Sequence, residues 1–356
     1  MNRKQTIDFF ARSLQAFESS HDAFRVLGTV TTAQQTAAAT FTAATTATTT
    51  TTGSTSKTTA TAGDDGITGA HALKAKKLIV LDSSFNPPTR AHAQMASSAL
   101  RDAGNDDDDN TRLLLLLAVN NADKQAAPAA YPTRLGMMAA FARDLRSTHD
   151  VDLGVTTMPF FHDKARSIVE SGTYYHHHRR HHHPACAANS ADGGEERRRL
   201  RLLPPEQVFL CGFDTVVRIF DPKYYGASPS AMRAALGPFF APVSDGGGGG
   251  GGGSELGARL RVTTRPDDAW GAVEEQRAYL QRLGEGGGLA QMGGDAAWVK
   301  RIEMVSGLGG AAVSSSRVRE VVKRRRYGSD AELGDLVSDG VRAYIEEEGL
   351  YQDHLP

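Results

Sequence analysis

From Lys76 onward the chain alternates between two kinds of hydrophobic pattern, and that alternation leaves few folds open. Lys77-Leu78-Ile79-Val80-Leu81 is a continuous apolar run bounded by turn residues. Similar runs stand at 113–119, 151–156, 208–211, 260–263 and, more weakly, 302–305. Runs of this length without period-two alternation suit strands buried on both faces. Between them lie helical spacings at 91–102, 132–146, 230–240 and 272–283, and two good helix formers, 316–326 and 331–348, close the chain. Strand and helix repeated in this way predict an α/β fold, a doubly wound parallel sheet covered by helices on both faces. Ligands collect at the carboxyl ends of strands in such sheets, so the residues just after each strand carry most of the functional information.

The rest of the 356 residues divides by composition. Residues 1–30 start with Ile7, Phe10, Leu14 and Phe17 at spacings of three and four, an amphipathic helix that docks on the core. Residues 31–75 are dominated by threonine and alanine and lack the apolar bulk to offset the entropy of ordering, which reads as a disordered linker. The core then runs over 76–351, with low-complexity insertions near 172–203, 244–255 and 284–295. The run 246–253 is all glycine, and 176–183 holds six of the twelve histidines. A metal site is conceivable in that histidine run, but no carboxylate or cysteine stands at ligand spacing, and a solvated loop is the plainer reading.

Charge and cysteine content narrow the class. With 40 Lys+Arg against 41 Asp+Glu, the chain as a whole is neither a strongly basic nucleic-acid binder nor an acidic solvating protein. Two cysteines, Cys186 and Cys211, cannot build a disulfide framework, and the default is a reducing compartment. No apolar run approaches the roughly 18–20 residues of a membrane span, and the start of the chain lacks a secretory signal. The expectation is a soluble intracellular protein, without membrane or nucleic acid as partner.

Four segments at strand ends carry chemistry. The first is Ser83-Ser84-Phe85-Asn86-Pro87-Pro88-Thr89-Arg90-Ala91-His92, a tight turn leading from a buried strand into a helix. The N–H groups and positive dipole of a helix start favour phosphate. Thr89 and His92, three apart, share one face of the first turn. The second is Val119-Asn120-Asn121-Ala122-Asp123-Lys124, whose lysine can reach a phosphate across the crevice. The third is Cys211-Gly212-Phe213-Asp214. A glycine at a strand exit lets a ligand approach the backbone, and the carboxylate can accept from a ribose hydroxyl or a base amine, or simply cap the helix. The fourth is Val313-Ser314-Ser315-Ser316-Arg317-Val318-Arg319, where serines cap a helix and Arg319 stands one turn inside it, a second anion site.

In this order and placement, the four segments resemble the nicotinamide mononucleotide adenylyltransferase family, in a divergent fungal style, within the nucleotidylyltransferase superfamily. The family patterns are Gly-Ser-Phe-Asn-Pro with a following Thr-x-x-His, a strand-end lysine, Gly-x-Asp, and Ile-Ser-Ser-Thr-x-x-Arg. Here Ser83 stands for the first glycine, Asp123 for a usual aromatic, and no tryptophan is found to stack on nicotinamide; Phe160 or Phe161 is the substitute. The resemblance implies a Rossmann-like fold and transfer of the adenylyl group of ATP to nicotinamide mononucleotide, giving NAD and pyrophosphate. It implies contacts to ATP from Ser83, Ser84, Phe85, Asn86 and Thr89, and places its phosphates on His92, Ser315, Ser316 and Arg319, bridged by Mg²⁺. Lys124 lies between ATP and the acceptor phosphate, and Gly212 and Asp214 lie on the nucleoside side. Such an enzyme would be cytoplasmic, and nuclear as well. No side chain is assigned as a metal ligand. A protein of the same fold that hydrolyses or senses ATP without making NAD is the alternative.

Overall fold

A computed structural model describes residues 1–33, 42–43, 73–104, 110–119, 128–178, 201–241, 256–264, 270–285, 287–307, 313–324 and 330–352. The chain begins with α1 (Arg3–Glu18), β1 (Phe24–Val30), β2 (Thr42–Ala43) and β3 (Leu73–Lys74). The core follows as β4 (Lys77–Asp82), α2 (Arg90–Ala103), β5 (Thr111–Ala118), α3 (Tyr131–Asp144), β6 (Val151–Thr156), α4 (Phe161–Glu170), β7 (Tyr174–His178) and β8 (Arg201–Leu203). Its second half is β9 (Glu206–Gly212), α5 (Phe213–Ile219), α6 (Pro229–Phe240), β10 (Ala258–Thr263), α7 (Val273–Gly284), α8 (Gly288–Gln291) and β11 (Ile302–Val305). Three helices close it: α9 (Ser315–Arg324), α10 (Asp330–Leu336) and α11 (Asp339–Glu347).

The parallel strands lie in the order β6-β5-β4-β9-β10-β11. In order of appearance this is 3-2-1-4-5-6, so the winding reverses between β4 and β9, where a crevice opens at the carboxyl edge. Leu78, Ile79, Val80 and Leu81 are at most 1% exposed, and Leu113 to Leu117 are wholly buried. Alternate residues of β4 face opposite layers, which is why its apolar run has no polar period. Ile79 and Leu81 pack with α1, α2, α3, α9 and α11, whereas Leu78 and Val80 pack with α4, α5 and α6. No helix among the described residues is long and apolar enough to cross a membrane.

Two features depart from the sequence reading. Residues 24–30, placed there within a helical N-terminal segment, form β1, which pairs antiparallel with β6 and extends the main sheet. Phe24, Leu27 and Val30 are its buried residues, and the register shifts between Val26 and Gly28. That bulge breaks the period-two pattern by which a strand is recognised. Its docking is specific: wholly buried Asp152 of β6 receives the Thr29 hydroxyl at 2.6 Å, the Tyr174 hydroxyl at 3.0 Å and a two-pronged Arg112 at 2.8 Å. A buried carboxylate so fully satisfied is tolerable, and it ties β1, β5, β6 and β7 together.

The second departure is at 284–295, expected as an unstructured insertion. Among its described residues Gly288–Gln291 is helical, and Leu289 is wholly buried in the layer that holds Trp298. Glycine content concealed one large apolar side chain with a place to go. The insertion near 172–203 contributes β7 and β8 at its ends, which pair antiparallel; residues 179–200 and the glycine run 246–253 lie outside the described residues.

Candidate active site

β4 ends in a carboxylate, Asp82, and the chain crosses the sheet edge from Ser83 to Thr89 before α2 begins. The loop is held from within. Phe85 is wholly buried although its φ is +44°, a left-handed backbone uncommon for a bulky residue, and its ring lies 5.4 Å from that of His92. The Asn86–Pro87 peptide is cis. Thr89, 1% exposed, is the N-cap of α2.

His92 occupies the first turn of that helix. Its Nδ1 accepts the Thr89 backbone N–H at 3.0 Å, with the Thr89 hydroxyl at 2.9 Å from the same atom, and its Nε2 lies 2.9 Å from the Ser83 hydroxyl. An Nδ1 that accepts leaves the proton of a neutral imidazole on Nε2. Burial pushes this histidine down to about 4. The ring therefore presents an N–H donor, without charge, toward the crevice at the end of β4.

The fourth motif comes to the same loop from more than 200 residues away in sequence. The Ser315 hydroxyl donates to Pro87 O at 2.8 Å. Arg319 donates from Nη1 to Asn86 O at 2.7 Å and from Nη2 to the Ser316 hydroxyl at 2.9 Å, which fixes the plane of its guanidinium. Helix capping falls to another serine, since the Arg317 N–H donates to the Ser314 hydroxyl at 3.2 Å. Ser83, Phe85, Asn86, Thr89, His92, Ser315, Ser316 and Arg319 thus form one cluster. Ser84 sits in the same loop with its side chain exposed.

On the other side of the winding reversal, β9 pairs with β4 in the register Leu81↔Leu210, so Gly212 and Asp214 follow at the crevice. A Cβ at Gly212 would lie 2.7 Å from Asp214 Oδ1. The Asp214 carboxylate is ion-paired with Arg218 one turn along α5. Burial, with Asp214 and Asp82 nearby, pushes the Cys211 thiol up and leaves it a poor nucleophile. Lys124 lies outside the described residues.

Three further parts escaped the sequence reading. Tyr351, 5% exposed near the end of the chain, donates its hydroxyl to Asn86 Oδ1 at 2.8 Å. Lys164, 4% exposed on α4, donates to Asp82 Oδ2 at 2.5 Å, a buried ion pair under the crevice. Arg134, in the first turn of α3, is also buried. Only Asp82 left a signal, as a carboxylate ending an apolar run. A buried lysine or arginine looks like any solvated one in a helical pattern.

An aromatic cleft of about 190 Å³ opens beside α4 and α5, lined in part by Phe160, His162, Thr215, Arg218 and Tyr225. The two phenylalanines separate here. Phe161 packs inward, its ring 5.3 Å from that of Phe209, whereas Phe160 is 39% exposed and lies parallel to His162 at 5.6 Å. No group of three or more potential metal ligands gathers among the described residues, and Asp82 and Asp214 are each ion-paired already. A divalent ion suits this crevice only as one carried largely by a ligand's own oxygens.

No family model matches the chain. Over 166 residues it is 33% identical to a Schizosaccharomyces pombe protein named "Putative nicotinamide mononucleotide adenylyltransferase". That match covers 47% of this chain and 50% of the relative, so the chain spans about half the length of the curated relative. The homologue thus carries the family name to which the four motifs point. Among solved structures, the Plasmodium falciparum nicotinic acid mononucleotide adenylyltransferase aligns in its complexes with NaAD and with APC, at 12% and 11% identity and a TM-score of 0.43. Each alignment covers 78% of this chain and 97% of the other.

Proposed function

We propose that this chain transfers the adenylyl group of ATP to a pyridine mononucleotide, with nicotinamide mononucleotide as acceptor, to give NAD and pyrophosphate. The observation that carries the reading is the meeting of His92 and Arg319 on the Asn86–Pro87 loop, beside the reversal of strand order. An oxygen of the acceptor phosphate attacks the α-phosphorus in line. The new P–O bond forms as the bond to the β-phosphate oxygen breaks, and pyrophosphate leaves with that electron pair. The nucleophile is already anionic at neutral pH, so the protein's task is alignment and neutralisation of charge.

Each residue has a part in that task. Neutral His92 donates from Nε2 to the leaving pyrophosphate once Ser83 has given way. Arg319 offers a guanidinium whose plane is set by Asn86 and Ser316, and a planar fork suits phosphate oxygens. Ser315 ties α9 to the loop that carries these groups, and Ser84, Asn86 and Thr89 shape the turn around the nucleotide. Lys124 stands between ATP and the acceptor phosphate. Gly212 admits the nucleoside against the backbone, where Asp214 accepts from its hydroxyls. Mg²⁺, when bound with ATP, supplies positive charge to the phosphates. The acceptor ring belongs in the aromatic cleft, against Phe160 rather than Phe161, because only Phe160 presents a free face.

A coupled assay for NAD formation from ATP and nicotinamide mononucleotide, run in parallel with nicotinic acid mononucleotide, tests the reading. Dinucleotide and pyrophosphate should appear in equal amounts. The inward turn of Phe161 removes one ring from the acceptor cleft and is the observation favouring an ATP-hydrolysing protein. Inorganic phosphate released without dinucleotide would establish that alternative.

A further inference from the structure

Arg134 is 8% exposed, yet among the described residues neither of its terminal guanidinium nitrogens meets a carboxylate. Its Nε donates to Ala129 O at 2.7 Å, and its guanidinium carbon lies 5.0 Å from the centre of the Tyr131 ring. The neighbourhood is the candidate site. Tyr351, which donates to Asn86 Oδ1, brings its hydroxyl within 4.0 Å of Met137 Sδ, one turn beyond Arg134 on α3. Asn86 in turn accepts from Arg319, which also lacks a carboxylate partner among the described residues. The tyrosine thereby seats the first turn of α3 beside Arg319. Burial lowers the Arg134 pKa, and the positive charge of Arg319 lowers it further against the opposing influence of Tyr131 and Tyr351. Two adjacent cations, one of them buried, are costly unless an anion joins them. The start of α3 adds to the positive field, since Ala130 offers no side chain to its first-turn N–H groups.

We infer that Arg134 and Arg319 form a paired guanidinium site for the pyrophosphate portion of the nucleotide, with Arg134 a direct phosphate ligand. The inference rests on the adenylyl-transfer reading for its ligand but not for its anion chemistry. Two planar forks on one wall can each take two oxygens of a diphosphate, which a single lysine cannot imitate.

Titration of the full chain with inorganic pyrophosphate, by calorimetry, tests it. Arg134→Lys keeps the charge and should weaken pyrophosphate binding at least fivefold, and Arg134→Gln should weaken it more. Arg342→Gln, which removes a cation that faces Asp339 on α11, should leave binding within twofold. In turnover, KM for ATP should rise in Arg134→Lys with KM for the acceptor unchanged, a split that a merely structural residue would not produce. If Arg134→Gln fails to fold, Arg134→Lys carries the test alone. Pyrophosphate affinity within twofold of the parent in a folded Arg134 variant would overturn the inference, as would a parent chain that does not bind pyrophosphate. A parent that binds pyrophosphate through Arg134 but forms no dinucleotide would refute the adenylyl-transfer reading and leave this site standing.

Discussion

Nε2 of His92 lies 2.9 Å from the Ser83 hydroxyl while Nδ1 of the same ring accepts the Thr89 N–H at 3.0 Å. Both nitrogens are therefore committed, one to the helix cap and one to a serine at the end of β4. The cap bond fixes the tautomer, and the serine contact marks the direction in which the ring donates. Replacing His92 by alanine should lower turnover on the order of 100-fold, by analogy with removal of one donor from an oxyanion site. ATP affinity should change much less, because the developing charge on the leaving group, and not the ground state, is what the N–H meets. Steady-state kinetics beside nucleotide titration would check it, and unchanged turnover in a folded variant removes His92 from the site.

The buried imidazole also makes stability depend on pH. Folded His92 stays neutral down to about pH 4, whereas in the unfolded chain it takes up its proton near 6.5. Between those values the unfolded state binds more protons, so stability falls as pH decreases from about 6.5 toward 4 and is unaffected by this group above 7. From pH 7 to pH 5 the loss due to His92 is about 2 kcal/mol at most. Urea midpoints at both pH values should show a smaller decline in His92→Gln than in the parent, and equal declines would show that the ring is not shielded from water.

Arg319→Lys keeps the charge but cannot hold Asn86 O and the Ser316 hydroxyl together from two nitrogens. Activity should fall at least tenfold, or roughly 1.4 kcal/mol of transition-state stabilisation. Ser315→Ala loses the bond to Pro87 O and should cost about 1 kcal/mol of stability. Melting temperatures on both variants separate the two effects, and full activity in Arg319→Lys would count against a phosphate role.

Lys164→Met leaves Asp82 buried without its cation, and breaking such a pair costs about 3–5 kcal/mol. Removing both charges in Lys164→Met with Asp82→Asn should restore much of that stability. Chemical denaturation of the single and double variants measures the coupling. A single variant as stable as the parent would mean that the two side chains are not paired in solution.

Local pattern alone determined a good deal of this protein. The continuous apolar runs specify buried parallel strands because both faces of β4 and β5 are covered, and no polar residue interrupts them. Strand exits can be read for chemistry because backbone N–H groups and small residues gather there, so the loop from Ser83 to His92 and the serines before Arg319 stand out one by one. What local pattern could not decide is how they meet. Only the 3-2-1-4-5-6 winding brings Arg319 onto Asn86, and only packing turns Phe161 inward and leaves Phe160 outside. β1 needed a partner strand before its bulged sequence could be seen as a strand, and Leu289 needed the surrounding apolar layer before a glycine-rich stretch could be seen as helix. Lys164, Arg134 and Tyr351 were invisible for the same reason. A charge or a hydroxyl acquires its meaning from what surrounds it, and desolvation by residues distant in sequence is set by the tertiary structure, not by neighbours along the chain.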